Sequence, residues 1–168
     1  MFNLGIITIS DKASRGERAD KSGPLIQGSF AAVDCKVVNY EVIPDEADVI
    51  AKKLKHWADM GNMDIILTTG GTGLAPRDVT PEATLSVIDK EVPGLAEMMR
   101  DRSFDVTPNA MLSRAVAGMR KGCLIINLPG SPKAVAECLE VIMPVLPHAV
   151  DVIKGRITEH PAPEMGKD

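Results

Sequence analysis

From Asp64 to Thr84 the chain reads DIILTTGGTGLAPRDVTPEAT, and no other stretch restricts the fold as strongly. Ile65-Ile66-Leu67 is a short apolar run of the kind that forms a buried strand. It enters Thr68-Thr69-Gly70-Gly71-Thr72-Gly73, where three glycines and three hydroxyls leave little bulk, so a ligand can approach the backbone closely. Successive N–H groups in such a loop can converge into an anion-binding nest. Arg77-Asp78 then sets a fixed cation beside a carboxylate. Thr80-Pro81-Glu82 reads as a helix start, with Thr80 as N-cap and Pro81 at the first helical position. Strand, glycine loop, charged pair and helix N-terminus describe a phosphate site at the carboxyl edge of an α/β sheet.

The chain is 168 residues long, which fits one domain with a core of its own. The expected division is a domain over residues 1–157 and a polar tail over 158–168. Aromatic residues make up only 3%, so the core must be aliphatic, and nucleic-acid binding by base stacking is disfavoured. The net charge of −4 gives no field that attracts polyanions, so a phosphate ligand has to be held locally. Cys35, Cys123 and Cys138 are too widely spaced for a metal motif and odd in number, which reads as reduced thiols. Met1 to Ser10 lacks the features of a signal peptide, and no apolar run has membrane-spanning length, so a cytoplasmic protein is expected.

Leu4 to Ile9 reads as the first strand and ends at Ser10-Asp11. The mixed-charge segment Lys12 to Arg18 reads as a long loop, either solvated or a lid over substrate. A helix begins at Ser22-Gly23-Pro24, and a second strand runs from Cys35 to Ile43. Asp45 is placed to cap the next helix, whose apolar face carries Ile50, Leu54 and Trp57. After the central stretch, helices are expected over Pro81 to Asp89, Leu95 to Ser103, and from Thr107-Pro108 to a stop at Gly118. Arg100, Arg102 and Arg114 form no local patch. Cys123 to Ile126 is another buried strand, followed by Asn127-Leu128-Pro129-Gly130-Ser131-Pro132 and a helix to Met143 that Pro144 and Pro147 kink or divide. About four buried strands alternating with helices give an α/β fold with a mostly parallel sheet.

The glycine loop is not a Walker A motif, because no lysine follows the glycines, and it lacks dinucleotide-fingerprint spacing. None of the three histidines has the context of a catalytic triad. The remaining chemistry is carboxylates near a phosphate loop: Asp78 beside it, with Asp45 and Asp11 at the ends of other segments. Carboxylates aimed at phosphates need a metal between them, and Mg²⁺ held by one or two carboxylates plus substrate phosphates is the usual arrangement. Phosphoryl or nucleotidyl transfer is the matching reaction class. For Asp78, an Asx-turn or a salt bridge to Arg77 remains an equal alternative.

LTTGGTGLAPRDVTPEAT (67–84) resembles the signature of the molybdopterin adenylyltransferases of the MogA type, shared with the gephyrin G domain. ITISDKASRG (7–16) is similar to that family's first strand and Ser-Asp loop, and INLPGSPKAVAECLE (126–140) to its second glycine–proline loop and helix. The resemblance implies a three-layer α/β/α sandwich, the molybdopterin-binding fold, assembled as a homotrimer. It implies adenylylation of molybdopterin by Mg-ATP, with release of pyrophosphate, in molybdenum cofactor biosynthesis. It maps catalytic and Mg²⁺-binding roles onto Asp45 and Asp78. Phosphate and nucleotide contacts map onto Thr69, Gly70, Gly71, Thr72 and Gly73, and onto Asn127, Pro129, Gly130 and Ser131. Ser10, Asp11 and Ser14 map near the substrate. The region after Glu140 is shorter than in larger members and proline-rich. The same fold occurs in MoaB-type paralogues, so the alternative is a non-catalytic trimer that binds molybdopterin or docks another protein of the pathway. Neither nucleic acid nor membrane is an expected partner.

Overall fold

Apolar runs rich in isoleucine and leucine can be buried on both faces only as central strands of a sheet covered on two sides. The computed structural model, which describes residues 1–157, shows this arrangement. Strands β1 (Phe2–Ile9), β2 (Cys35–Ile43), β3 (Ile65–Thr69), β4 (Lys90–Glu91), β5 (Ala117–Arg120) and β6 (Cys123–Leu128) form one sheet in the order β2-β1-β3-β6-β5-β4. β2, β1, β3 and β6 run parallel, whereas β5 and β4 add antiparallel strands at one edge. The expected tail at 158–168 lies outside the described residues.

Side chains alternate across the sheet. Leu4, Ile6, Leu67, Leu124 and Ile126 pack against helices α2 (Ser22–Ser29), α5 (Pro93–Phe104), α6 (Pro132–Ile142) and α7 (Leu146–Ile153). Ile7, Ile9, Ile66 and Ile125 face the other way, onto α3 (Ala47–Asp59) and α4 (Thr80–Leu85). This is the expected three-layer sandwich. Among the described residues no helix is long and apolar enough to cross a membrane.

Four local expectations need correction. Thr107 to Gly118 is not a helix: a 3-10 turn covers Pro108–Leu112, the chain then extends, and Ala117–Arg120 is β5. Asp45 does not cap α3. Glu46 occupies that position without a side-chain bond, and the Asp45 carboxylate accepts the Asp11 amide instead, at 2.7 Å. Thr80 is the first residue of α4, not its cap, because its hydroxyl donates to the Gly70 carbonyl at 2.9 Å. The polar segment after Ser10 opens with a one-turn helix, α1 (Asp11–Ser14), capped by the Ser10 hydroxyl oxygen, which accepts from the Ala13 amide. The proline break is as expected: α6 ends at Ile142, a 3-10 turn follows over Met143–Val145, and α7 starts at Leu146.

Candidate active site

Parallel neighbours end at the same edge, so the sheet order itself assembles the site. The carboxyl ends of β1, β3 and β6 deliver Ser10-Asp11, Gly70–Gly73 and Pro129–Ser131 side by side, and β2 delivers Asp45. Gly70 and Gly71 have φ of 103° and 66°, in the region glycine favours. Among the described residues the amides of Gly71, Thr72 and Gly73 meet no protein acceptor, which leaves them available to an anion.

Two cavities flank this loop. The first, about 590 Å³, has many polar and charged residues on its wall, among them Ser10, Arg18, Asp20, Lys21, Ser22, Asp45 and Thr69. The second, about 450 Å³, lies under α5 and the 3-10 turn, with Met99, Leu112, Ala115 and Cys138 on its wall together with Thr72, Gly73 and Pro129. Gly71, Asp78, Gly130 and Ser131 line both. Of the residues singled out in the sequence, Asp11 and Ser14 lie on neither wall but on a third cavity of about 750 Å³ beside α3. Asn127 lines none of these three cavities. Its side chain is fully buried, donates to the Thr68 and Thr84 hydroxyls at 3.0 and 2.9 Å, and accepts the Val116 amide at 3.3 Å.

The carboxylates differ in environment. Burial pushes the Asp45 pKa up, and the nearby charges of Asp11 and Asp78 push it the same way; the bond from the Asp11 amide and the more weakly felt charge of Arg77 act against this without cancelling it. Asp11 has a directly bonded cation: the Arg77 guanidinium forks onto it with two 2.8 Å bonds and lowers its pKa. Arg77 is therefore committed to Asp11, not to its chain neighbour Asp78, whose carboxylate accepts the Ala75 amide at 2.9 Å in a local turn. Asp11 and Asp45 also exchange bonds, each carboxylate accepting the other's amide. Asp45 and Asp78 supply only hard oxygen donors, the set that suits Mg²⁺ completed by substrate phosphates. Among the described residues no cluster of three or more His, Cys, Asp or Glu side chains is placed to hold a metal ion.

Sequence reasoning passed over two residues. Asp20 accepts from the Thr8 and Tyr40 hydroxyls and from the amides of Ser22 and Gly23, and so fixes the start of α2 on the wall of the first cavity. Burial works against its charge, but these donors outweigh it and its pKa is lowered. A carboxylate two residues before Ser22 is a cap signal that could have found it. The other is Arg114, which bonds the Gly73 and Asp78 carbonyls; nothing in its sequence neighbourhood marks it.

Residues 5–148 match the family described as "Probable molybdopterin binding domain". The chain belongs to this family. It is 45% identical over 156 residues to a molybdopterin adenylyltransferase of Helicobacter pylori strain J99, covering 92% of this chain and 89% of that protein. It is 39% identical over 178 residues to the molybdopterin adenylyltransferase of Escherichia coli K12, covering 98% and 91%. Among solved structures, the molybdopterin biosynthesis enzyme MoaB of Thermus thermophilus superposes with a TM-score of 0.87 at 54% identity, covering 92% of this chain and 98% of that one. The fold and family implied by the three sequence stretches are those found.

Proposed function

We propose that this chain is a nucleotidyltransferase of molybdenum cofactor biosynthesis that transfers the adenylyl group of ATP to molybdopterin. The observation that carries this reading is the wall shared by two cavities: a glycine loop with open amides, and Asp78 facing both sides. One substrate on each side of the loop would bring its phosphate to the same amides. The names of the relatives supply the two substrates. A terminal phosphate oxygen of molybdopterin attacks the α-phosphorus of ATP, and the bond from that phosphorus to pyrophosphate breaks.

Asp45 and Asp78 would hold Mg²⁺, which when bound neutralises charge on the transferring phosphates. The amides of Gly71 to Gly73 aim partial positive charge where the phosphoryl oxygens gather. Arg18 and Lys21 add cations to the first cavity, and the Ser131 hydroxyl, whose oxygen accepts the Ala134 amide, keeps its proton to donate. Ser10 lines the same wall, whereas Asp11 acts through Arg77 and Asp45. The proposed assembly is a homotrimer in the cytoplasm. Exposed apolar side chains at Met98, Phe104, Val106, Met111 and Leu112 support association, and three free cysteines suit a reducing compartment.

The test is pyrophosphate release with molybdopterin and Mg-ATP, run beside Asp78→Asn. Release that requires both substrates and disappears in the variant is expected. Tight molybdopterin binding without release by the unaltered chain would instead favour a carrier.

A further inference from the structure

The loop from Gly73 to Asp78 carries the carboxylate on which the site turns, yet it belongs to no helix or strand. Its own bonds are local: Asp78 and Ala75 exchange bonds, amide to carbonyl at 2.9 Å and amide to carboxylate at 2.9 Å. Among the described residues its side-chain ties to the rest of the molecule come from two arginines. One is Arg77, exposed and turned toward Asp11. The other is Arg114. Its Nε donates to the Gly73 carbonyl at 2.8 Å and its Nη2 to the Asp78 carbonyl at 2.6 Å, while Nη1 is paired with Glu82 on α4. The Arg114 amide donates to the Thr72 carbonyl at 2.9 Å. Both ends of the loop are thus pinned by one planar fork. The fork is itself braced, because Arg100 donates to the carbonyls of Ser113 and Ala115 on either side.

We propose that Arg114 is a positioning residue for the adenylyl transfer: it fixes the backbone at Gly73 and Asp78, and so sets where the Asp78 carboxylate meets metal and phosphate. This rests on the role proposed for Asp78. Arg114 lines neither cavity, and three of its donors are already used, so it does not act by binding substrate. A lysine in its place keeps the charge but cannot span two carbonyls and a carboxylate.

The experiment compares Arg114→Lys and Arg114→Ala with Asp78→Asn and with Arg120→Lys. Arg120 makes a similar fork, to Asp59 and the Val87 carbonyl, at the opposite edge of the sheet, and so controls for lost stability alone. For both Arg114 variants kcat is expected to fall about 10- to 100-fold, with a higher Mg²⁺ requirement and little change in either KM. Added guanidinium restores part of the activity of Arg114→Ala and none to Asp78→Asn. Amide hydrogen exchange over residues 73–78 quickens in the Arg114 variants and not in Arg120→Lys. Wild-type kcat and Mg²⁺ requirement in Arg114→Lys, beside an inactive Asp78→Asn, would overturn the inference alone. Full activity in Asp78→Asn would overturn the reading of the site, and this inference with it. If Arg114→Ala does not fold, Glu82→Gln, which removes the anchor of the fork, is expected to raise the Mg²⁺ requirement at unchanged Tm; no change would count against the role.

Discussion

Gly70→Ala is the substitution whose consequence can be worked out most fully. At a φ of 103° an L side chain is strained, at a cost of about 1–2 kcal/mol. An added Cβ would also lie 2.2 Å from the Ile9 carbonyl oxygen at the end of β1. That atom is backbone in a hydrogen-bonded strand and cannot rotate away, so β1 and β3 must separate locally, at a further ~1–3 kcal/mol. The sum is about 2–5 kcal/mol, which at roughly 2–4 °C per kcal/mol lowers Tm by about 4–20 °C for a chain of this size. Gly130 is the internal comparison: a Cβ there would meet the Gly70 Cα at 3.4 Å, an ordinary contact, and its φ is not positive. Gly130→Ala is expected to leave Tm nearly unchanged. The assay is calorimetric melting of both variants, with pyrophosphate release measured below their transitions. Because the displacement falls on the loop itself, the surviving Gly70→Ala protein should lose about 100-fold in kcat. Equal melting of the two variants, or near-normal turnover in Gly70→Ala, would show that the loop is not held as tightly as its geometry implies.

Asn127→Leu should unfold at markedly lower urea. Three bonds worth about 1 kcal/mol each are lost, and the Val116 amide keeps no acceptor from that side chain, so about 3–5 kcal/mol is expected; a loss under ~1 kcal/mol would sink the idea of a buried bridge. Burial pushes the Cys123 thiol from 9.0 up to about 12. A raised folded-state value contributes stability that is complete below pH 9.0 and lost as pH rises toward about 12, so the urea midpoint should fall across that window, and less so in Cys123→Ala.

The strands that position the site were legible because burial on both faces demands unbroken runs such as Ile65-Ile66-Leu67 and Leu124-Ile125-Ile126. The glycine loop was legible because positive φ excludes most other residues. β4 and β5 were not. Lys90 and Glu91 are exposed, and Ala117-Gly118-Met119-Arg120 contains no β-branched residue. What makes Gly118 part of a strand is tertiary, since a Cβ there would lie 2.5 Å from Ile88 and 2.7 Å from the Lys90 carbonyl. Asp45 and Thr80 matched the local pattern of helix caps, but distant partners won: the Asp11 amide for one, the Gly70 carbonyl for the other. Capping is worth only about 1 kcal/mol, so a bond that also fixes a functional loop readily displaces it.

The same competition bears on how an acidic chain would hold the phosphate proposed for this loop. Its net charge of −4 offers no general attraction, and Asp45 and Asp78 on the cavity wall repel anions. The anion must therefore be met by dipoles and by a cation at short range. The loop provides the dipoles only if its amides stay free of protein acceptors, and this requires that something else hold the loop in shape. Thr80 does so at Gly70, Arg114 at Gly73 and Asp78, and the Asp11 pair at Asp45. Each of these bonds is spent on backbone or on a neighbouring segment instead of on ligand. Small residues in the loop are thus half of the device, and the ring of side chains that pins it is the other half. Because Gly71 and Asp78 belong to both cavity walls, a shift of the pinned loop alters both cavities at once.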